Sequence, residues 1–526
     1  MSPWQRVLAF VCVLVAAAAP RALAQPYYPL EITQPPADNG PNHRAKWAAP
    51  GLPYSAQVAV VSGVWPYQFS LTNAPAGMTI RNAAANETCG IGETGRTHVI
   101  CGEITWPNPQ GPGSVTPTVT VRDAAGATVT RTFTIQVSLG PFRFVDATTG
   151  RNARGNNCYL SCGAGTEADP WKSLKDVSAG SSAGTITYFK NGRYTVADLT
   201  RFSIGGEGDG VEFKADKSTT WLAYPGHTPV FDFGFSTGQT RVQVWLWGGM
   251  VYVEGLTLQN GGTKFFHVLG DAAQAGTFRK NIFRDLNGNG VSNAAMVMTP
   301  HSTMTTGLLI QDNQFLDSPG ELAVRLYDTT KSLVEGNVMR GIGNAFDPKD
   351  AATRFTFRGN TINNIRVDGR YPGTGISGSF NNNPTAPGEI YRNLFYDIDE
   401  AAIEIGLTWT RPGGTGPLYV YDNTILSNIN VTDIQNPAGP FTFTRNVIVN
   451  GEGGHPPVAY FRRPSGFNQP DWSRIQASNN LTGSPSAGLV SATGQLTGRA
   501  RSQWLGQRGY ELGSGSPKAP EPPAKR

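Results

Sequence analysis

Charge is scarce in this chain. Only 15% of its 526 residues are Asp, Glu, Lys or Arg, while glycine reaches 63. That balance suits many strands and turns, and argues against long surface helices and against disorder. Neither sign of charge dominates. Setting aside Arg6 and Arg21 of an N-terminal leader, 43 − 2 = 41 basic residues face 38 acidic ones. So even a balance gives no electrostatic case for nucleic acid, although a local basic groove is compatible with it. Cysteine is scarce as well, with five in all, and no second long apolar run follows the first. A chain of this length exceeds one ordinary core, so two or more domains are expected.

The first apolar run lies in MSPWQRVLAFVCVLVAAAAPRALAQ. Basic Arg6, the apolar stretch Val7 to Ala19, and Ala22-Leu23-Ala24 before Gln25 form the pattern of a secretory signal peptide over residues 1–24. The stretch is short for a membrane anchor. The pattern predicts a secreted or periplasmic protein after cleavage near Ala24. Cys12 leaves with the leader, and Cys89, Cys101, Cys158 and Cys162 remain. An even count in an oxidising compartment predicts two local disulfides, Cys89–Cys101 and Cys158–Cys162. The rival is a metal site, but the cysteines fall in two separate regions and the only nearby histidine is His98.

Residues 25–140 read as short alternating strands. SAQVAVVSG, PYQFSL, TPTVTVRDAAG and ATVTRTFTIQVS are broken by Gly, Pro and Asn turns, the pattern of a β-sandwich. Their order, with APAGMTI and GEITWPNP between, resembles the immunoglobulin-like or cadherin-like domains of bacterial secreted proteins. Such a resemblance implies a spacing or attachment role. The stretch GTEADPWKSLKDV then reads as a turn and a short amphipathic helix, with Trp171, Leu174 and Val177 on one face. With AGTITYFKNGRYTV after it, this resembles the entry of right-handed parallel β-helix proteins of the pectate lyase superfamily, where such a piece caps the bare edge of the first coil.

A repeat follows. VYVEGLTL, TFRKNIF, LLIQDNQF, LVEGNVM, FTFRGNTI, IYRNLFY, YVYDNTIL and FTFTRNVIV share the template apolar-x-apolar-x-x-Asn-x-apolar. The asparagines are Asn281, Asn313, Asn337, Asn360, Asn393, Asn423 and Asn446, with Gly255 in the first slot, at intervals of 32, 24, 23, 33, 30 and 23 residues. Such periods mean stacked coils, about nine or ten of them. Asparagine tolerates the left-handed backbone of a tight corner and stacks into hydrogen-bonded ladders. The column is therefore read as structural. The expected fold is all-β: the sandwich, then a parallel β-helix over residues 141–484, then a C-terminal cap and Pro-rich tail over 485–526.

Between successive asparagine strands lies a second strand. If Phe266, Val324, Leu326, Phe346, Ile376 and Ile403 point inward, alternation places His267, Arg325, Tyr327, Asp347, Lys349, Ser377, Ser379, Glu404, Asp433, Gln435, Tyr460 and Arg462 outward in a column. Coils lie about 4.8 Å apart, so column neighbours touch, and Glu404 falls roughly 10 Å from Asp347. The set reads as a groove for an extended acidic sugar chain. Lys349, Arg325 and Tyr327 are the candidate catalytic groups. His267, Asp347, Glu404, Asp433, Gln435, Tyr460 and Arg462 are the candidate substrate contacts. β-Elimination of a uronic-acid polymer needs a base and a positive group for the developing enolate. Lys349 serves as base if Arg325 or Arg462 favours its neutral form, while flanking Asp347 and Asp350 oppose it unless they bind a cation. Tyr327 is placed to donate to the leaving oxygen.

A lysine just before an apolar-x-apolar-x-x-Asn strand, as in DPKDAATRFTFRGN, resembles the polysaccharide lyases that include chondroitinase B and alginate lyases. That resemblance implies Lys349 as base and Arg325 as acid, with calcium often helping; Asp347 and Asp350, flanking Lys349, are the candidate ligands for such a cation. Glycoside hydrolysis by Asp347, Asp350, Glu404 or Asp433 is the second reading. It resembles galacturonidase-type β-helices at fold level, without their paired Asp-Asp and Gly-His-Gly signatures. A non-enzymatic carbohydrate-binding or adhesin β-helix is the third. The expected partner is an extracellular, acidic polysaccharide. His301 and His455 read as loop residues, and Asn86, Asn430 and Asn480 begin sequons.

Overall fold

The computed structural model describes residues 28–38, 43–89, 97–195, 202–203, 209–213, 219–234, 244–246, 251–268, 274–287, 294–299, 304–367, 373–380, 387–405, 417–427, 429–431, 440–449, 461–462, 473 and 475–483. Residues 1–27, where the leader is expected, and the Pro-rich tail lie outside them. Among the described residues no helix is long and apolar enough to cross a membrane.

The N-terminal region is a sandwich of short, mainly antiparallel strands. Thr118–Arg122 pairs antiparallel with Thr128–Thr132 on one side and Gln68–Thr72 on the other. Tyr54–Gln57 pairs with Glu103–Trp106. Alternation sends Val119 and Val121 into a core with Ile104, Phe133 and Ile135. The apolar run Val58–Val61 does not alternate in sequence because it serves two cores. Val58 and Val60 enter the sandwich, while Ala59 and Val61 pack on Leu309 and Leu333 of the second domain. Cys89 is bonded to Cys101 and Cys158 to Cys162, with Cα separations of 5.4 and 5.5 Å.

The second region is a parallel β-helix with three faces, right-handed as parallel crossovers are. Among the described residues, its first face is a sheet of twelve strands, from Phe142–Val145 to Ile475–Ser478. The sequence repeat predicts fewer coils because the three opening strands lack a corner asparagine, and because Asn480 reads there as a sequon. The second and third faces form one twenty-stranded sheet. They join because Gln314–Tyr327 and Val338–Asp350 bend through both. The interior is apolar from end to end, with Phe283 stacked on Phe315 and Phe346 on Phe357, each at 4.9 Å. At the open end, Ser173 caps the helix Leu174–Gly180. Trp171, Leu174 and Val177 then close over the first coil.

The asparagine column is a ladder. From Asn281 through Asn313, Asn337, Asn360, Asn393, Asn423 and Asn446 to Asn480, each backbone N–H and side-chain Nδ2 donates to Oδ1 of the next, at 2.9–3.0 Å. The left-handed residue of the corner is not the asparagine but the one before it. Lys280, Asp312, Gly336, Gly359, Arg392, Asp422, Arg445 and Asn479 have φ between 52° and 68°. Gly255, at φ 77°, therefore matches Lys280. Leu256 takes the asparagine's place and donates its N–H to Asn281 Oδ1.

The sandwich docks along the first face. Gln34 Nε2 reaches the Gly307 carbonyl at 2.8 Å. Arg279, fully buried, pairs with Glu103 of the sandwich, and Lys280 shares that carboxylate. Arg358 is bonded to Glu335 at 2.8 Å, to Tyr391 at 2.9 Å and to Tyr67 of the sandwich at 3.3 Å. The Arg392 guanidinium lies 3.4 Å from the centre of the Trp65 ring.

Candidate functional site

The third face carries the polar column. Strand register fixes its order: Trp245 beside His267, His267 beside Met298, Met298 beside Arg325, and Arg325 beside Asp347. Phe346 pairs with Ile376, which sets Asp347 level with Ser377. Ser377 pairs with Glu404, Glu404 with Asn430, and Asn430 with Arg462. One step along the strands, Tyr327 pairs with Lys349 and Lys349 with Ser379. The inward partners Val324, Leu326, Phe346, Ile376 and Ile403 are all in the core, so the parity read from the sequence holds here.

Four expected residues converge. Arg325 donates from both Nε and Nη2 to Asp347 Oδ2, at 2.8 and 2.7 Å. Lys349 Nζ lies 3.7 Å from the same oxygen. The other carboxylate oxygen, Asp347 Oδ1, is buried and meets no hydrogen-bond donor among the described residues. The Arg325 guanidinium sits 5.9 Å from the centre of the Tyr327 ring. Burial raises the Tyr327 phenol above its ordinary pKa, against an opposing pull from Arg325. Its N–H donates to Thr299 Oγ1 at 2.7 Å, which pins the strand beside it.

The column is not the open, solvated floor that alternation alone suggests. Arg325 and Asp347 are each 2% exposed, and His267, Tyr327, Ser377 and Glu404 are buried too. The Lys349 side chain keeps 26% of its surface. Ionic and aromatic partners on neighbouring strands satisfy one another, and so these groups pack against each other instead of standing in water. His267 is removed from the cluster by Met298. Burial, with help from Lys264, lowers its pKa to about 3, so it is neutral at ordinary pH.

Other expected members are placed differently. The next strand is Ile429–Val431, so Asn430 holds the column position beside Glu404 that the sequence pattern assigns to Asp433. Asp433, Gln435 and Tyr460 lie outside the described residues, and of Arg462 only the backbone is described. Asp350 ends its strand in a left-handed conformation, φ 52°. Of the candidate calcium ligands, Asp347 has Oδ2 held by Arg325 and Oδ1 left over, and among the described residues no three His, Cys, Asp or Glu side chains gather to hold a metal. The charged residues of the first face, Arg279 and Arg358 among them, were missed. Their signal was present, since they fill the slot shortly before the corner asparagine in TFRKN and FTFRGN.

Among known proteins, residues 41–138 match the family described as "Putative Ig domain". No curated protein matches the chain. Among solved structures, the chain is similar to the catalytic domain of a GH87 alpha-1,3-glucanase variant in complex with nigerose. Identity is 10%, coverage 82% of each chain, and TM-score 0.36. It is also similar to a family 28 exopolygalacturonase of Yersinia enterocolitica, at 10% identity over 87% of this chain and 98% of that one, with TM-score 0.35. At so loose a likeness, the β-helix assignment rests on the strand pairing itself.

Proposed function

We propose that the protein cleaves an extended acidic polysaccharide outside the cytoplasm, by β-elimination on the third face. The observation that carries this reading is the convergence of Lys349, Tyr327 and the Arg325–Asp347 pair on two adjacent strands. In this reading Lys349, the most exposed of the four, takes the proton beside the uronate carboxylate. Arg325 offsets the Asp347 charge through two hydrogen bonds to one carboxylate oxygen, leaving a near-neutral pair next to the lysine. Tyr327, a phenol kept protonated by burial, donates to the leaving oxygen.

One observation favours hydrolysis as the second reading. Asp347 Oδ1 is an unengaged acceptor, and Glu404 lies two strands away. By strand spacing that is roughly 10 Å, close to the separation of an inverting carboxylate pair, about 6.5–9.5 Å. The deciding experiment incubates the protein with alginate, pectate and chondroitin, with and without calcium. It follows unsaturated-end absorbance and new reducing ends together. Elimination raises both. Reducing ends without absorbance would transfer the chemistry to Asp347 and Glu404. Neither signal on any substrate would sink the cleavage reading.

A further inference from the structure

The seam between the two domains holds a cavity of about 460 Å³, within the usual size of ligand pockets (about 300–1,000 Å³). Neither domain could form it alone. The sandwich contributes Tyr54 and Trp106, and the β-helix contributes Tyr188, Tyr224, His227 and Glu254. The rings stand edge to face. Tyr224 meets Tyr188 at 6.0 Å and His227 at 5.1 Å. Tyr224 and His227 are only partly buried, and so they present apolar ring surface to the cavity mouth. Glu254 lines it with acceptors, one taking the Tyr252 hydroxyl at 2.9 Å and the other 3.8 Å from Arg279 Nε. A second cleft of about 870 Å³ shares Glu103 and Thr105 with this one, so the seam runs on past it.

We propose that this inter-domain cavity is a second glycan site, which binds a neutral oligosaccharide without cleaving it. Sugars offer apolar C–H faces to aromatic rings and hydroxyl donors to carboxylates, and the cavity supplies both partners. A uronate fits poorly. The lining sets the Glu103 and Glu254 carboxylates against Lys280, which Glu103 engages, and Arg44, which is turned to the Trp47 carbonyl and the Tyr188 hydroxyl, so it carries no net positive charge to draw a uronate. Binding across the seam would also hold the domains together, because only the docked state has the site.

The test is calorimetric titration of the full-length protein with cello-, malto- and xylo-oligosaccharides. At least one is expected to bind. Tyr224→Ala should weaken it about tenfold, while Tyr224→Phe keeps the ring and the binding. Lys349→Ala should bind as the parent does, which separates this site from the third face whatever becomes of the cleavage reading. His227→Ala, on the rim, gives a second probe should Tyr224→Ala fail to fold. The proposal is overturned if no neutral oligosaccharide binds. It is equally overturned if folded ring-removing variants bind like the parent, or if binding is lost in Lys349→Ala.

Discussion

The first and third faces of the β-helix both bury arginines against carboxylates, yet the two arrangements do different things. On the first face, Arg279 reaches across to Glu103, and Arg358, paired with Glu335 beside it, also reaches Tyr67, so both arginines help dock the sandwich. On the third face, Arg325 and Asp347 pair within the coil. One carboxylate oxygen is left unengaged there, and a lysine stands beside the pair with part of its surface open. A charge whose partners come from another domain holds that domain. A charge paired inside its own face, with capacity to spare, is available to a ligand.

That contrast can be broken most sharply at Lys349. Replacing it with alanine should lower cleavage by about 10²–10⁴-fold, with a urea midpoint close to the parent's. A variant that keeps full activity removes Lys349 as the base. Asp347→Ala comes next. It strands the Arg325 charge and should cost about 3–5 kcal/mol in urea unfolding, whereas Asp347→Asn should cost less. Equal costs would mean that the pair is not the stabilising unit. On the first face, Glu103→Ala should cost about 1–3 kcal/mol and quicken proteolysis near the junction at residues 138–141. Activity of the surviving protein on an acidic polymer should be unchanged. A loss of activity there would tie the two faces together.

The smallest effect expected is one of pH. Burial raises the Asp312 carboxyl to about 7, beside the docking seam. Its folded pKa lies above its unfolded one. Its stabilisation is therefore complete below the unfolded value of about 4 and is lost as pH rises through 7. Glu389, also raised to about 7 by burial, acts in the same sense. His43 acts oppositely. Burial lowers it to about 3, so its contribution is present above the unfolded value of about 6.5 and is lost on acidification. Asp312→Asn, in a left-handed position that asparagine accepts, should raise the melting temperature at pH 8 by a few degrees and change little at pH 5. A gain of equal size at both pH values would show that the carboxyl charge is not the cause.

Much of the site was legible because strands repeat with a period of two. Once Val324, Leu326 and Phe346 were set inward, the outward places of Arg325, Tyr327, Asp347 and Lys349 followed, and adjacent coils had to bring them together. Asn430 was missed because a coil's start cannot be read when its strand is only three residues, Ile429–Val431. The docking residues were missed for another reason. Ala59 and Val61, or Arg279 and Arg358, carry nothing in their local pattern that names a partner in the other domain, 176 residues away for Arg279 and 291 for Arg358.

The sequence by itself determined the two all-β modules, the asparagine ladder and the identity of the four converging residues. Each is set by local alternation, by turn chemistry or by a short repeat. Tertiary structure alone decided three further things. The polar column is buried, Asp347 belongs to Arg325 with one oxygen to spare, and the sandwich lies along the first face, where it forms a seam cavity. These depend on which surfaces meet once the chain is folded. Burial and partnership are properties of that meeting, and the order of residues does not carry them.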